Sequence, residues 1–310
     1  MVKMNKREQY SYLYGIIAPV VTPYYADGTF NAEAFREQAK FIMDAGVHGI
    51  SPGGSTGEGC AIHDDERNEM IRIIKEENTR NIPIVAGIIR HSTRDAIKAA
   101  REAKEAGADA LMITPIQYLG GTDADGNYRY YDAISEAVDL PIIIYNVIPQ
   151  NEVKPNDAYR MLKGIRNLVG IKQSRGSIDG FAAMYEKCHE EGLVFAATDE
   201  MPENTYLMGA DGEIAAILGL FPELSVKIWD LHKEGRYQEA MDLQRMVYTV
   251  WMSITGSQFP RRLKAALECI GRGCGDALMP LGRASEEEFE QIRNALKPYV
   301  EYAEKNLKHL

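Results

Sequence analysis

Short apolar runs alternate with longer amphipathic ones along most of this chain, and that rhythm limits the fold more than any other feature. Apolar runs bounded by turn residues suit strands buried on both faces of a parallel sheet. Residues 15–21 (GIIAPVV), 48–52, 83–89 (PIVAGII), 110–114 (ALMIT), 141–147 (PIIIYNV), 168–174 (LVGIKQS), 193–198 and 212–217 read as such strands. Between them, 31–45, 64–77, 92–106, 155–162, 178–190, 203–208 and 222–232 read as helices. Asn31 is placed to cap the first helix, Phe35, Ala39 and Ile42 recur on one face, and Gly46 ends it. Glycine likewise follows the 92–106 helix, at Gly107.

Eight βα units without a long linker favour a closed (β/α)₈ TIM barrel over an open doubly wound sheet. An open sheet needs two edge strands protected by Lys or Pro; only Pro19 and Lys172 answer that description, and Pro19 alone argues for the open form. After Tyr237 the pattern is helical only, over 237–254, 262–270 and 285–305. The expected organisation is a barrel domain at 1–235 and a C-terminal helical extension at 236–310 packed on it. A length of 310 residues and 45% hydrophobic content suit one such core.

A formal net charge of -10 repels phosphate backbones and anionic membranes, so nucleic acid and membrane are poor partners. No apolar run approaches the roughly 20 residues of a membrane span. The opening MVKMNKREQYSY lacks the apolar centre of a signal peptide. Four cysteines without a C-x-x-C pair suit reduced thiols, and a cytoplasmic location is expected. Six histidines show no metal-ligand spacing. Cys60 reads as a small buried filler. Asp123, Asp125 and Gly126 resemble a calcium loop, but the first ligand position would fall on Gly121, so a polar surface loop is expected there.

Three elements carry chemistry. Lys172 stands mid-strand; Gly170, Lys172 and Ser174 share one face, and Val169 and Ile171 share the opposite, helix-facing one. Lys172 then points into the barrel, where a dry environment favours the uncharged, nucleophilic amine; the competing reading is a lysine that snorkels to the rim. Tyr145 lies near the C-terminal, catalytic end of the neighbouring strand, placed for proton transfer or for a core role with its hydroxyl satisfied. Residues 53–59 (GGSTGEG) let backbone N–H groups and the Ser55 and Thr56 hydroxyls converge on an anion. They lack the Gly-Lys-Ser/Thr of a nucleotide loop and suit a small carboxylate; an ordinary glycine-rich turn is the alternative.

In register along one chain, G-x-x-G-E at 54–58, Tyr145-Asn146-Val147-Ile148-Pro149 and Gly170-Ile171-Lys172 resemble the dihydrodipicolinate synthase/N-acetylneuraminate lyase family, as do AGV at 45–47, AGAD at 106–109 and GADG at 209–212. The resemblance covers nearly the whole chain. It implies class I aldolase chemistry on pyruvate or another 2-oxo acid and an aldehyde, no metal or organic cofactor, and a homotetramer built as a dimer of dimers. It implies Lys172 as the Schiff-base lysine and Tyr145 as general acid/base, with Thr56 also in the catalytic set. Gly54, Ser55 and Thr56 would bind the pyruvyl carboxylate, with Ser174, Asp199 and Glu200 also in the substrate set.

Several positions separate the branches of that family. No arginine closely follows Pro149, and Thr114-Pro115 leads to Ile116-Gln117-Tyr118 where synthases are expected to carry a tyrosine pair. Thr198-Asp199-Glu200-Met201 is similar to the segment that binds sugar hydroxyls in sialate lyases, whereas Ala215-Ala216 replaces the expected glycine–serine. Arg175 is placed either for a distal anion or as a solvated loop residue. The leading expectation is a lyase releasing pyruvate from a hydroxylated, sugar-derived 2-oxo acid. The alternatives are a 2-keto-3-deoxy sugar acid dehydratase, dihydrodipicolinate synthase, and a catalytically silent 2-oxo-acid-binding regulatory barrel.

Overall fold

The computed structural model describes residues 5–118 and 120–307. Its centre is β1 (Gly15–Pro19), β2 (Gly49–Ser51), β3 (Val85–Ile88), β4 (Ala110–Ile113), β5 (Ile142–Asn146), β6 (Leu168–Gln173), β7 (Leu193–Ala196) and β8 (Gly212–Glu213). All ladders are parallel, in the order β2-β1-β8-β7-β6-β5-β4-β3. A parallel bridge from Ile50 to Ile84 joins β2 to β3 and closes the cylinder. This is the expected (β/α)₈ barrel, and it removes the edge-strand problem altogether. Pro19 is compatible with closure because β8 pairs with β1 only at Gly15 and Ile16, so the β1 flank facing β8 needs no donor at Pro19.

Helices α1 (Lys6–Gln9), α2 (Ala32–Asp44), α3 (Asp64–Glu77), α4 (Thr93–Ala106), α5 (Ala124–Ala137), α6 (Pro155–Gly164), α7 (Ile178–Cys188), α8 (Pro202–Leu207), α9 (Ile217–Leu220) and α10 (Pro222–Lys233) accompany the strands. Their starts follow local chemistry. Asn31 caps α2 by accepting from the Ala34 N–H at 3.0 Å, and Ser92 caps α4 by accepting from the Asp95 N–H at 3.1 Å. Gly107 ends α4 in the left-handed conformation, at φ 110°. The extension is α11 (Tyr237–Ile254), α12 (Phe259–Cys269) and α13 (Glu286–Asn306). Val247, Val250, Leu263, Phe289, Ile292 and Leu296 from these helices join the same apolar cluster as the outer face of the barrel.

Four local expectations are corrected. Residues 123–126 are not a surface loop but the entry to α5: Asp123 accepts from the Gly126 N–H at 2.6 Å, and Tyr130, Tyr131 and Ile134 bury the face that follows. An Asp-rich helix entry and a polar turn share the same residues, and the apolar face appears only in the second half of α5. The eighth strand is just Gly212–Glu213, and Ile217 already begins α9. Helix α12 starts earlier than expected, at Phe259, with Pro260 in its first turn, where the missing N–H costs nothing. Finally, Val169 does not face the helices: it packs inside the barrel with Ile143, Leu193 and Phe195, whereas Ile171 faces out. Ile142 pairs with Leu168 but Ile143 with Gly170, so β6 carries one extra residue and side-chain alternation slips at that bulge.

Candidate active site

Beyond the bulge the register is regular, and it places Tyr145 of β5 directly opposite Lys172 of β6. Residues paired across neighbouring strands project to the same side, so both enter the barrel near its C-terminal end. Lys172 is 5% exposed, and its Nζ stands 3.8 Å from the centroid of the Tyr145 ring. The Tyr145 hydroxyl donates to Ser55 Oγ at 2.9 Å, which ties β5 to the glycine loop after β2.

That loop folds into a single 3₁₀ turn, Ser55–Gly57. Its glycines are required by close approach. Gly53 has φ +76°, and a Cβ on Gly87 of β3 would lie 2.5 Å from backbone atoms of Gly53 and Gly54. Glu58 closes the turn at φ 57° and reaches the extension: its carboxylate pairs with Lys264 at 2.8 Å and accepts from the Leu278 N–H at 2.8 Å. Both side chains are buried, and Lys264 also donates to the Asp276 carbonyl at 2.9 Å. Glu58 is therefore an anchor for the loop, and its partner was invisible in sequence.

Lys172, Tyr145, Ser55, Thr56, Ser174, Asp199 and Glu200 all line one cavity of about 380 Å³. Gly54 is the residue preceding the 3₁₀ turn and is buried under it. Ser174 follows β6 with its Oγ buried and unpartnered among the described residues. Asp199 Oδ1 accepts from the Ile217 N–H at 2.7 Å, linking the end of β7 to the start of α9. Burial pushes the Asp199 carboxyl up to about 7, although the Ile217 N–H and the charge of Lys172 oppose that rise. Behind the barrel wall, Glu213 of β8 is buried, accepts from the Tyr206 hydroxyl and is pushed by burial up to about 8.

Part of the remaining wall comes from residues that sequence reasoning did not single out, Trp251, Thr255, Gly256 and Phe259 of the extension, while Ala215 and Ala216, at the positions where a glycine–serine was expected, line it after β8. Aromatic residues on an amphipathic helix look like core, so no sequence signal marked Trp251 or Phe259 as site residues. Arg175 is not among the lining residues; the loop holding it is fixed by Gln173 Nε2, which donates to the Arg175 carbonyl at 2.6 Å. Among the described lining residues, Lys172 is the single basic side chain. An adjoining, more apolar cavity of about 400 Å³ shares Ser55, Val147 and Phe259 with the first. Cys60 lines it with an exposed thiol, not as the expected buried filler. Among the described residues, no three His, Cys, Asp or Glu side chains converge to hold a metal ion, and no helix is long and apolar enough to cross a membrane.

The family model of the dihydrodipicolinate synthetase family matches residues 12–299. The 4-hydroxy-tetrahydrodipicolinate synthase of Syntrophobacter fumaroxidans is 30% identical over 289 residues, covering 92% of this chain and 98% of that protein. The synthase of the same name from Methanopyrus kandleri is 29% identical over 286 residues, covering 91% and 95%. The chain is similar to the chloride-inhibited dihydrodipicolinate synthase of Acinetobacter baumannii solved with pyruvate, at TM-score 0.87 and 29% identity over 92% of this chain and 98% of that one. It is also similar to the Methylacidiphilum fumariolicum synthase, at TM-score 0.88 and 25% identity over 94% and 98%. The chain belongs to the dihydrodipicolinate synthetase family, and with it to the class I, Schiff-base-forming, pyruvate-dependent aldolases and lyases.

Proposed function

We propose that this enzyme cleaves, or in reverse forms, a hydroxylated 2-oxo acid of sugar-derived type, with pyruvate and an aldehyde as the other side of the reaction. The observation that carries the reading is the buried Lys172 amine beside Tyr145, in a cavity that Asp199 and Glu200 also line and that contains no second basic side chain among the described lining residues. Lys172 attacks the C2 keto carbon, and loss of water leaves a protonated imine. Tyr145 gives its proton to the departing water, and its phenolate then takes the C4 hydroxyl proton as the imine draws electrons from the C3–C4 bond, releasing an aldehyde and leaving an enamine. Protonation of the enamine at C3 and hydrolysis of the imine then free pyruvate. Gly54, Ser55 and Thr56 hold the pyruvyl carboxylate through backbone N–H and hydroxyl groups, Thr56 thereby fixing the reacting carbon. Ser174, Asp199 and Glu200 accept or donate hydrogen bonds to hydroxyls of the distal half.

Incubation with pyruvate and borohydride is expected to add a reduced pyruvyl group to Lys172, and a panel of 2-keto-3-deoxy sugar acids and sialic acids is expected to yield one substrate that releases pyruvate. An unmodified Lys172 at saturating pyruvate ends the proposal. A dehydratase outcome would consume the sugar acid without free pyruvate. The names of the relatives favour a second reading, 4-hydroxy-tetrahydrodipicolinate synthase. Efficient condensation of pyruvate with aspartate semialdehyde would select it, although no basic side chain beyond Lys172 lines the cavity, among the described residues, to receive a second carboxylate. The same proposal places the enzyme in the cytoplasm, where its free cysteines stay reduced, without a metal or organic cofactor.

A further inference from the structure

We propose that the apolar cavity beside the catalytic one receives the substituent of a second class of aldehyde, aryl or branched alkyl, which the enzyme joins to pyruvate or releases from it. The inference rests on Lys172 being the Schiff-base lysine. The two cavities share Ser55, Val147 and Phe259, and the second holds about 400 Å³. Ser55 marks the boundary. It lines both cavities and its Oγ accepts from the Tyr145 hydroxyl at 2.9 Å, whereas Tyr145 and Lys172 line only the first of the two. A C4 oxygen that exchanges a proton with Tyr145 therefore lies beside that boundary, and the substrate beyond C4 has two directions to take.

The two directions differ in chemistry. Asp199 and Glu200 line the catalytic cavity and suit a hydroxylated chain. In the second cavity Glu58 is the one charged side chain among the described lining residues, and Lys264 and the Leu278 N–H already hold its carboxylate, each at 2.8 Å. Ile89, Ile148 and Leu281 supply apolar wall. A polyhydroxylated chain placed there gives up water for too few partners, whereas an apolar group gains by leaving water. One polar point remains. Thr114 is 0% exposed, lines the cavity, and its Oγ1 has no partner among the described residues, which suits a ring or chain that carries a single oxygen.

The step balances. With pyruvate held as the protonated imine, the Tyr145 phenolate takes one C3 proton and the C–H electron pair forms the enamine. The enamine C3 bonds to the aldehyde carbon, the C=O π pair moves to oxygen, and that oxygen takes the proton back from Tyr145. Water then hydrolyses the product imine, and the proton it releases restores the phenol. Lys172 ends as the neutral amine, and the product is a 4-hydroxy-2-oxo acid with the apolar group on C4. The reverse sequence frees the aldehyde and pyruvate.

The test uses the full chain and the benzaldehyde–pyruvate adduct as probe. Its cleavage to pyruvate is expected with kcat/KM about 10-fold or more above that of the acetaldehyde–pyruvate adduct, which has a methyl in place of the ring. Cys60, which lines the second cavity with an exposed thiol, reports where the ring sits. 4-Phenyl-2-oxobutanoate forms the imine but has no C4 hydroxyl, so it is not cleaved. Trapped on Lys172 with borohydride, it should slow alkylation of Cys60 by N-ethylmaleimide about 10-fold, read by peptide mass, because alkylation follows thiol exposure; trapped pyruvate should not. Conversely, a benzylthio group placed on Cys60 with benzyl methanethiosulfonate should block cleavage of the phenyl adduct, leave pyruvate trapping unchanged, and be reversed by dithiothreitol. Cys60→Ser given the same reagent should keep its activity. Cleavage indifferent to the Cys60 group, with Cys60 alkylated at an unchanged rate, puts the ring in the catalytic cavity and overturns the inference. So does a Cys60 that fails to alkylate before any ligand is added, since a closed cavity admits no ring. A normal pyruvate adduct on Lys172 with no turnover of the phenyl compound overturns the inference alone; absence of any Lys172 adduct removes the proposed function as well.

Discussion

In the proposed reaction single residues carry the chemistry through burial. An exposed lysine is a solvated ammonium; the same side chain inside a barrel, against the face of a phenol ring 3.8 Å away, meets much less water. The aromatic ring and the hydroxyl of Tyr145 thus do different things, one bounding the amine and the other reaching Ser55. Tyr145→Phe separates them. It is expected to keep the ring contact and the ability to trap pyruvate, while turnover falls by about 100-fold or more, the usual worth of a positioned acid/base. Lys172→Ala is expected to remove both trapping and turnover. Near-normal pyruvate release from Lys172→Ala would refute the assignment. That Lys172, Tyr145, Ser55 and Thr56 would meet was legible in sequence, because strand alternation and a glycine cluster are local signals. Val169 was misplaced because a bulge one residue long reverses alternation and leaves no mark in composition.

Elements hold those residues in place, and the glycine loop shows how. Its turn is short, so its orientation depends on the Glu58–Lys264 pair, at 2.8 Å and buried on both sides. Removing one partner of a buried pair strands the other charge, at a cost of about 3–5 kcal/mol. Lys264→Met is therefore expected to lower the urea midpoint by that amount of stability with little change in m. The Glu58→Gln/Lys264→Met double variant, which leaves no unpaired charge, should recover much of the loss. A double-variant loss equal to the sum of the separate Glu58→Gln and Lys264→Met losses would mean that the pair contributes no coupling. Glu58 stood out in a motif, but Lys264 lies on α12, and nothing local distinguishes a buried lysine from a solvated one on an amphipathic helix.

At the scale of the molecule, the extension supplies part of the wall of the candidate site. Trp251, Thr255 and Phe259 complete the cavity, and Phe289, Ile292 and Leu296 are buried among the barrel's own outer residues. Each such side chain contributes roughly 1.5–3 kcal/mol of apolar burial, so we propose that residues 236–310 fold with the barrel and not after it. Assembly belongs at this scale too. A homotetramer, as a dimer of dimers, is the expected state, and sedimentation at micromolar concentration should give four times the chain mass. A species at the chain mass that retains full activity would remove the tetramer from the account.

What the sequence determined by itself was periodic and local: strand order and most of the helices, the cap at Asn31, the stop at Gly107, the barrel class, and a lysine, a tyrosine and a glycine turn at strand ends. These follow from backbone geometry, which repeats at short range and prints itself on the residue pattern. What only the tertiary structure decided was which distant side chains share one dry space: Lys264 under the glycine loop, Trp251 and Phe259 across from Lys172, and Asp199 pinned by α9. Those neighbours are set by closure of the cylinder and packing of the extension, and a contact between residues far apart in the chain needs no periodic signal to exist.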